Sequence, residues 1–375
     1  MVRLRQGATR VIAAALLTVA IIILVAGLWP FNPFPANNVT WLKNRSGLEL
    51  GRNPIVLSKG TLDFTEPKWS AISIEIWLLP TDSWSSRTFF SIYTPENPKR
   101  FYMLNYHNLF IVRRSRLDTT GQWEAATMGV EKTVPADSPL FITITGGPKG
   151  GSIYFNGKLA RAFPGYSLSG SDISGQLIFG TSPFDKQTWH GEWRGLAIYG
   201  AELSPADVLA HYQEWVQGHQ AELAKGSVPT ALYDFHEGEG DKIHDLAGTA
   251  PELFIPKHFS VPHKPILQWP WNEFHPTRSY VLDIAVNIGG FVPLGFFLVA
   301  FLCSATRNRR PVLTAILIGA LMSLAIELLQ AYIPQRSSGM TDIITNTLGT
   351  AMGAIICGQT GVKEIFARFG LSRQE

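Results

Sequence analysis

Ser70-Ala-Ile-Ser-Ile-Glu-Ile-Trp-Leu78 sets aliphatic residues at every second position, the period of a β-strand with one face on a core. Leu140-Phe-Ile-Thr-Ile-Thr145, Gly151-Ser-Ile-Tyr-Phe155 and Gln176-Leu-Ile-Phe179 repeat this β-branched and aromatic composition, and Gly, Pro, Asn or Ser bounds each run. Between Phe155 and Lys158 the pair Asn156-Gly157 predicts a two-residue hairpin, because a type I′ turn needs positive φ at both central residues. Helix is scarce until Ser204, which can cap a segment over 205–216 with Val208, Leu209, Tyr212 and Trp215 on one face. The expected architecture for this part of the chain is an all-β two-sheet sandwich.

Four apolar stretches flank that region. Residues 11–28 are uncharged and long enough to cross a ~30 Å hydrocarbon core, and Trp29 stands at their end as an interface anchor. A cleaved signal peptide is the competing reading, but no small-x-small cleavage site follows and the run exceeds a usual h-region. Residues 284–306 and 343–362 also lack charge, and 312–333 contain only Glu327. The expectation is a bundle of four transmembrane helices.

Arg3, Arg5 and Arg10, then Arg307, Arg309 and Arg310, then Lys363, Arg368 and Arg373 all fall on one side of four spans, which marks that side as cytoplasmic. Residues from about 30 to 280 then lie outside the cytoplasm, and both termini inside. The net charge of +3 is largely this topological signal, and no basic stripe with interleaved aromatics points to nucleic acid. Cys303 and Cys357 are too few for a disulfide framework or a cysteine metal site.

Ser73-Ile-Glu-Ile-Trp-Leu-Leu-Pro80, the Asn156-Gly157 hairpin, Trp193-Arg-Gly-Leu-Ala-Ile-Tyr199, Leu203-Ser-Pro-Ala-Asp-Val208 and His211-Tyr212 resemble the landmarks of LamG-like, concanavalin A-like jelly rolls over 38–217. Ala231-Leu-Tyr-Asp-Phe-His-Glu-Gly-Glu-Gly-Asp241 is similar to the way such domains begin, yet it follows the sandwich and reads as an edge strand pair or a packed connector. Glucanases on this fold need an acid and a nucleophile flanking the glycosidic bond. The matching strand holds only Glu75, so hydrolysis is not expected. The resemblance implies a loop or face that binds glycan or an envelope protein, with Trp84, Tyr93, Tyr106, Trp123 and Trp189 able to stack on sugars or to pack in the core. No cofactor is expected; Asp172 or Asp185 are the candidates for a calcium ion, or simply terminate turns. His258 and His263 lack metal-site spacing, and Trp269, Trp271 and Phe274 suit headgroup level.

The apolar helices carry polar residues where charge is expensive. At 1.5 Å per residue, Asn287 lies ~9 Å inside its span if the span starts near Val281; Glu327 and Asn346 come to similar depths, with Asp283, Gln330 and Asp342 one turn further out. Asp342, Asn346, Gly349 and Gly353 form one stripe, Gly319, Ser323, Glu327 and Gln330 a second, and Asp283, Asn287 and Gly290 a third. Small residues below and polar ones above allow close helix approach around a shared polar site, with Arg336 or Arg278 as counter-ion.

Asp283-x3-Asn287, Phe291-Val-Pro-Leu-Gly-Phe296, Ser323-Leu-Ala-Ile-Glu-Leu-Leu-Gln330, Arg336 and Thr341-Asp-Ile-Ile-Thr-Asn-Thr-Leu-Gly349 with Gly353 resemble the VanZ-like family over 283–358. The resemblance implies a bacterial cytoplasmic-membrane protein of the cell envelope, in some members linked to glycopeptide resistance. The expected plan is a cytoplasmic N-terminus with the first helix (1–29), a LamG-like sandwich (30–225), a connector and juxtamembrane segment (226–280), a three-helix VanZ-like region (281–362) and a cytoplasmic tail (363–375). Two functions compete. One is recognition, by Asp283, Asn287, Glu327, Gln330, Arg336, Asp342 and Asn346, of a membrane lipid or lipid-linked headgroup. The other is an intramembrane enzyme acting on a lipid-linked envelope precursor, with Glu327 as acid or base. No nucleophile, metal set or phosphate loop accompanies the carboxylates, so recognition is the expectation.

Overall fold

A computed structural model describes residues 6–66, 68–81, 86–107, 109–118, 120–131, 138–184, 187–223, 228–274, 276–306 and 308–359. The chain divides into two compact units, Pro35–His263 and a helical unit of Met1–Phe34 with Lys264–Glu375.

Helix α1 (Gln6–Leu28) belongs to the helical unit. The inserted unit then runs through β1 (Val39–Trp41), β2 (Leu48–Leu50), β3 (Val56–Leu62), β4 (Ile72–Pro80), β5 (Arg87–Thr94), β6 (Asn97–Tyr106), β7 (Leu109–Leu117) and β8 (Trp123–Glu131). It continues with β9 (Leu140–Gly147), β10 (Gly150–Phe155), β11 (Lys158–Phe163), β12 (Gly175–Phe179), β13 (Gly191–Tyr199), α2 (Pro205–Gln217), α3 (Gln220–Leu223), β14 (Ala231–Tyr233), β15 (Lys242–Ile243) and β16 (Leu253–Phe254). One antiparallel sheet has the order β1-β2-β13-β4-β9-β10-β11 with β14 on β13; the other is β15-β16-β3-β12-β5-β6-β7-β8. The chain after α3 therefore returns to both sheets.

The opening strand explains the packing. Ile72, Ile74, Ile76 and Leu78 of β4 join the core between the sheets, with Phe90, Phe179 and Trp193. The alternate positions turn to the other face, where Trp77 packs with Trp215 of α2. Sheet one is thus covered on both sides, and every residue of β9 is buried. Asn156 and Gly157 have φ of 50° and 76°, as the hairpin between β10 and β11 requires. Ser204 caps α2 by accepting from Asp207 N. The buried face of α2 is Val208, His211 and Trp215, whereas Leu209, expected there, is 43% exposed.

On the outer face of sheet two, Phe259 packs with Ile55 and Ile178, and Val261 and Tyr93 lie against them. Beyond that strap, β6 to β8 leave a face open, and β8 is an edge strand with most positions exposed.

The helical unit adds α4 (Pro270–Glu273), α5 (Arg278–Ala305), α6 (Pro311–Gln330) and α7 (Met340–Gly358). Among the described residues three helices, where four were expected, are long and apolar enough to cross a membrane: Gly7–Leu28, Arg278–Ala305 and Pro311–Gln330. Helix α7 falls short because Thr341, Asp342, Thr345, Asn346, Thr347 and Thr350 dilute its apolar residues. Several of these face other helices: Thr345, Asn346 and Thr350 are buried with Gly349 and Gly353.

Candidate functional site

Helix α7 begins at a buried N-terminus, where the free N–H groups need acceptors and the helix dipole favours negative charge. Each of the first three donors has a partner from another segment. Gly339 N donates to Glu327 Oε2 at 2.8 Å, Met340 N to the Gln268 carbonyl at 2.9 Å, and Thr341 N to Glu273 Oε2 at 3.0 Å. The Thr341 hydroxyl also donates to Glu273. Asp342, in the first turn, accepts from Asn287 Nδ2 at 2.8 Å.

The cations sit at opposite poles of other helices. Lys264 Nζ donates to the Gln330 carbonyl at 2.6 Å and to the Ile333 carbonyl, at the C-terminal end of α6. Arg336 Nη2 reaches the Ala26 carbonyl of α1 at 3.4 Å, and among the described residues it makes no ion pair with Glu327 or Asp342. The counter-ion expected of Arg336 is thus a helix C-terminus, which carries partial negative charge of its own. Gln330 Nε2 ties α6 to α1 through the Gly27 carbonyl at 2.7 Å.

Helix-end chemistry accounts for one oxygen of Glu327, for Glu273 and for Lys264. It leaves two features over. Glu327 is 1% exposed and its Oε1 has no hydrogen-bond partner among the described residues. Asn346, one layer deeper, donates Nδ2 to Ser323 Oγ at 2.9 Å, while its buried Oδ1 has no partner. The stripe on α6 holds, since Gly319, Ser323, Glu327 and Gln330 are all buried. On α5 it does not: Asp283 is exposed, and Gly290 is exposed with open space around it. Close approach of α5 and α7 uses Gly295 instead, where an added Cβ would lie 1.9 Å from the Thr350 carbonyl oxygen. From α7, Gly349 and Gly353 meet the Ile288 and Val292 carbonyl oxygens in the same way, at 2.2 and 1.9 Å. Sequence reading missed Gln268, Glu273 and Lys264, whose signal was only that they precede an apolar run.

In the sandwich, Glu75 is fully buried on the α2 side of β4. Its carboxylate meets His211 Nδ1 at 2.9 Å, accepts from Tyr199 Oη at 3.0 Å and accepts from Trp215 Nε1 at 3.3 Å. Burial pulls His211 down, but the hydrogen bond and charge of Glu75, with Asp207 and Glu214, outweigh it and raise the imidazole above its ordinary value. Burial, and then the charge of Glu75, raise Tyr199 so that it stays a donor. The arrangement fastens α2 to sheet one.

Of the aromatics able to stack on sugars, Trp189 is 1% exposed in the core and Tyr93 lies under the strap. Tyr106 and Trp123 are 49% and 55% exposed; Trp84 lies outside the described residues. Asp172 closes the turn that begins at Ser169. One oxygen accepts from Ser169 N and Oγ, and Arg116 lies 3.8 Å from it. Asp185 lies outside the described residues, and no group of three or more metal-ligating side chains occurs among those described.

Comparison with known proteins accords with these parts. Residues 239–361 match the family model described as VanZ/LLP1, and residues 56–209 match that of the Concanavalin A-like lectin/glucanases superfamily. No curated protein matches the chain. Similar solved structures include the receptor binding domain of botulinum neurotoxin C/D mosaic serotype, with 14% identity, a TM-score of 0.37 and coverage of 48% of this chain and 45% of that one. The botulinum neurotoxin serotype D binding domain gives 14% identity, a TM-score of 0.33, and 48% and 45% coverage. A candidate carbohydrate-binding protein from Bacteroides ovatus gives 11% identity, a TM-score of 0.39, and 58% and 61% coverage. The chain spans less than half the length of the two toxin chains and 61% of the third. The two family matches fall on separate stretches, and the chain joins a VanZ-like membrane region to an inserted LamG-like, concanavalin A-like domain.

Proposed function

We propose that the protein is a membrane-anchored component of a bacterial envelope whose sandwich binds glycan outside the cytoplasm. The arginines before α1 and around 307–310 set the orientation, with the N-terminus and the α5–α6 turn inside. Helix α7, less apolar but shielded by α5 and α6, carries the chain back inward. The observation that carries the glycan reading is Trp123, a large ring more than half exposed on the edge strand β8 of a lectin-like fold. An exposed indole on a rigid strand offers a flat face to a sugar ring.

In the same reading, the helices recognise the polar headgroup of a membrane lipid or lipid-linked envelope component through Glu327 and Asn346, whose free acceptors point to a ligand that donates hydrogen bonds. Asn287 with Asp342 joins α5 to α7, and Gln330 and Arg336 join the site to α1, whereas the exposed Asp283 stands outside it. The VanZ-like match extends the proposal to glycopeptide susceptibility.

Glycan-array binding of the full-length protein in detergent, compared with Trp123→Ala, tests the first part. Saccharides retained by the wild type should weaken by about tenfold or less in the variant, the range of one stacking contact. An array with no hits, or hits unchanged by Trp123→Ala, would sink it. For the helices, Glu327→Gln at normal protein level should alter glycopeptide susceptibility; an unchanged phenotype would remove the headgroup reading.

A further inference from the structure

Strands β5, β6 and β7 carry Arg87, Lys99, Arg100, Arg113, Arg114 and Arg116 and not a single Asp or Glu. Three of these guanidiniums converge on the segment 166–172. Arg114 is 2% exposed; its Nε donates to the Ser167 carbonyl at 2.7 Å, its Nη2 to Ser167 Oγ at 3.3 Å, and its plane lies 5.3 Å from the Tyr166 ring centre. Arg116 Nη2 reaches the same hydroxyl at 3.3 Å, and Arg100 Nη1 donates to the Ser171 carbonyl at 2.6 Å.

The donors are not used up. A guanidinium presents five N–H groups. Arg114 Nη1 and Arg100 Nε are buried without acceptors, and nearby Tyr166 Oη and Asp172 Oδ1 are buried without partners as well. Unpaired buried donors are rare because each forfeits its hydration. What covers the arginines is loose. Glu124 places Oε1 at 3.4 Å from Arg114 Nη2 and Oε2 at 3.4 Å from Arg116 Nε, and its side chain is 45% exposed. A tight guanidinium–carboxylate pair closes to about 2.7–2.9 Å. The residue before Glu124 on the edge strand is Trp123.

We propose that Arg114 and Arg116 form an oxyanion site for an acidic saccharide, whose carboxylate takes the place of Glu124 while its ring lies against Trp123. The proposal rests on the reading of the sandwich as a saccharide binder and adds the charge of the ligand and the residues that meet it. Glu124 then acts as a built-in competitor: it holds the guanidiniums in place and leaves when a better-fitting carboxylate arrives. An acidic sugar and free phosphate share the oxyanion chemistry, and a single buried water would also satisfy Arg114 Nη1.

The test titrates the full-length protein in detergent with tetragalacturonate, with the neutral maltotetraose and with inorganic phosphate. Tetragalacturonate should bind saturably and lose affinity as salt rises, and maltotetraose should bind more weakly. The decisive readout is a pair of variants. Glu124→Gln should tighten tetragalacturonate severalfold, whereas Arg116→Gln should weaken it by about tenfold or more, both with unchanged melting temperature. A merely structural ion pair would move both variants the same way. Equal affinity for the two oligosaccharides, or no gain from Glu124→Gln, would overturn the oxyanion site. Maltotetraose binding alone would overturn it while leaving the saccharide reading intact. Binding of phosphate without tetragalacturonate would remove the acidic sugar as ligand. Binding of none of the three is the water outcome, and it counts against this site while the glycan array decides the wider reading.

Discussion

At the scale of single residues, Glu75 has lost all its water and is held by three donors from β13 and α2. His211→Gln takes away the imidazole partner and should cost about 1–3 kcal/mol of sandwich stability, the usual penalty for weakening a buried carboxylate's bonds. The loss depends on pH. His211 has its pKa raised in the folded state, so its stabilisation is complete below the ordinary imidazole value of about 6.5 and fades as pH rises through the raised value. Thermal melts from about pH 6 to about pH 9 should show a wild-type decline that His211→Gln lacks; parallel curves would contradict the assignment. This network was not legible in the sequence, because the partners of Glu75 stand 124, 136 and 140 residues away. The Asn156-Gly157 turn and the Ser204 cap were legible, since each is closed by residues within one turn of chain.

Helix α7 sets the behaviour of the helical unit as an element. Its N-terminus takes acceptors from Glu327 and Glu273, and its glycines set the distance to α5. Gly353→Ala would drive a methyl to 1.9 Å from the Val292 carbonyl oxygen, a contact backbone cannot yield cheaply. The variant should cost about 1–3 kcal/mol, seen as a lower melting temperature of the helical unit in detergent. Gly290→Ala, with nothing within 4 Å, should be close to neutral, and equal effects of the two would refute the packing. The stripes on α6 and α7 followed from spacings of three and four, whereas α5 faces its partners one turn further along, through Gly295. Periodicity marks a face but does not say how far along its neighbour a helix is shifted. The polarity that marks α7 as a special helix also keeps it out of the set apolar enough to span.

For the molecule as a whole, the two resemblances read from the sequence found their counterparts in the family matches. Strand order was out of reach, because β13 lies between β2 and β4 although more than a hundred residues separate them in the chain. No local pattern encodes such a neighbour. The oxyanion cluster was equally hidden: its arginines read as surface charge on β-strands until the loop at 166–172 folds over them. Glycan binding requires that the sandwich face the envelope, so sidedness is the claim on which the functional reading stands. Glu239 is exposed in the Pro35–His263 unit, and the chain's own cysteines are Cys303 and Cys357. With both changed to serine, Glu239→Cys should react with a membrane-impermeant maleimide in intact cells as fully as after lysis; labelling that appears only after lysis would place the sandwich in the cytoplasm and contradict the account.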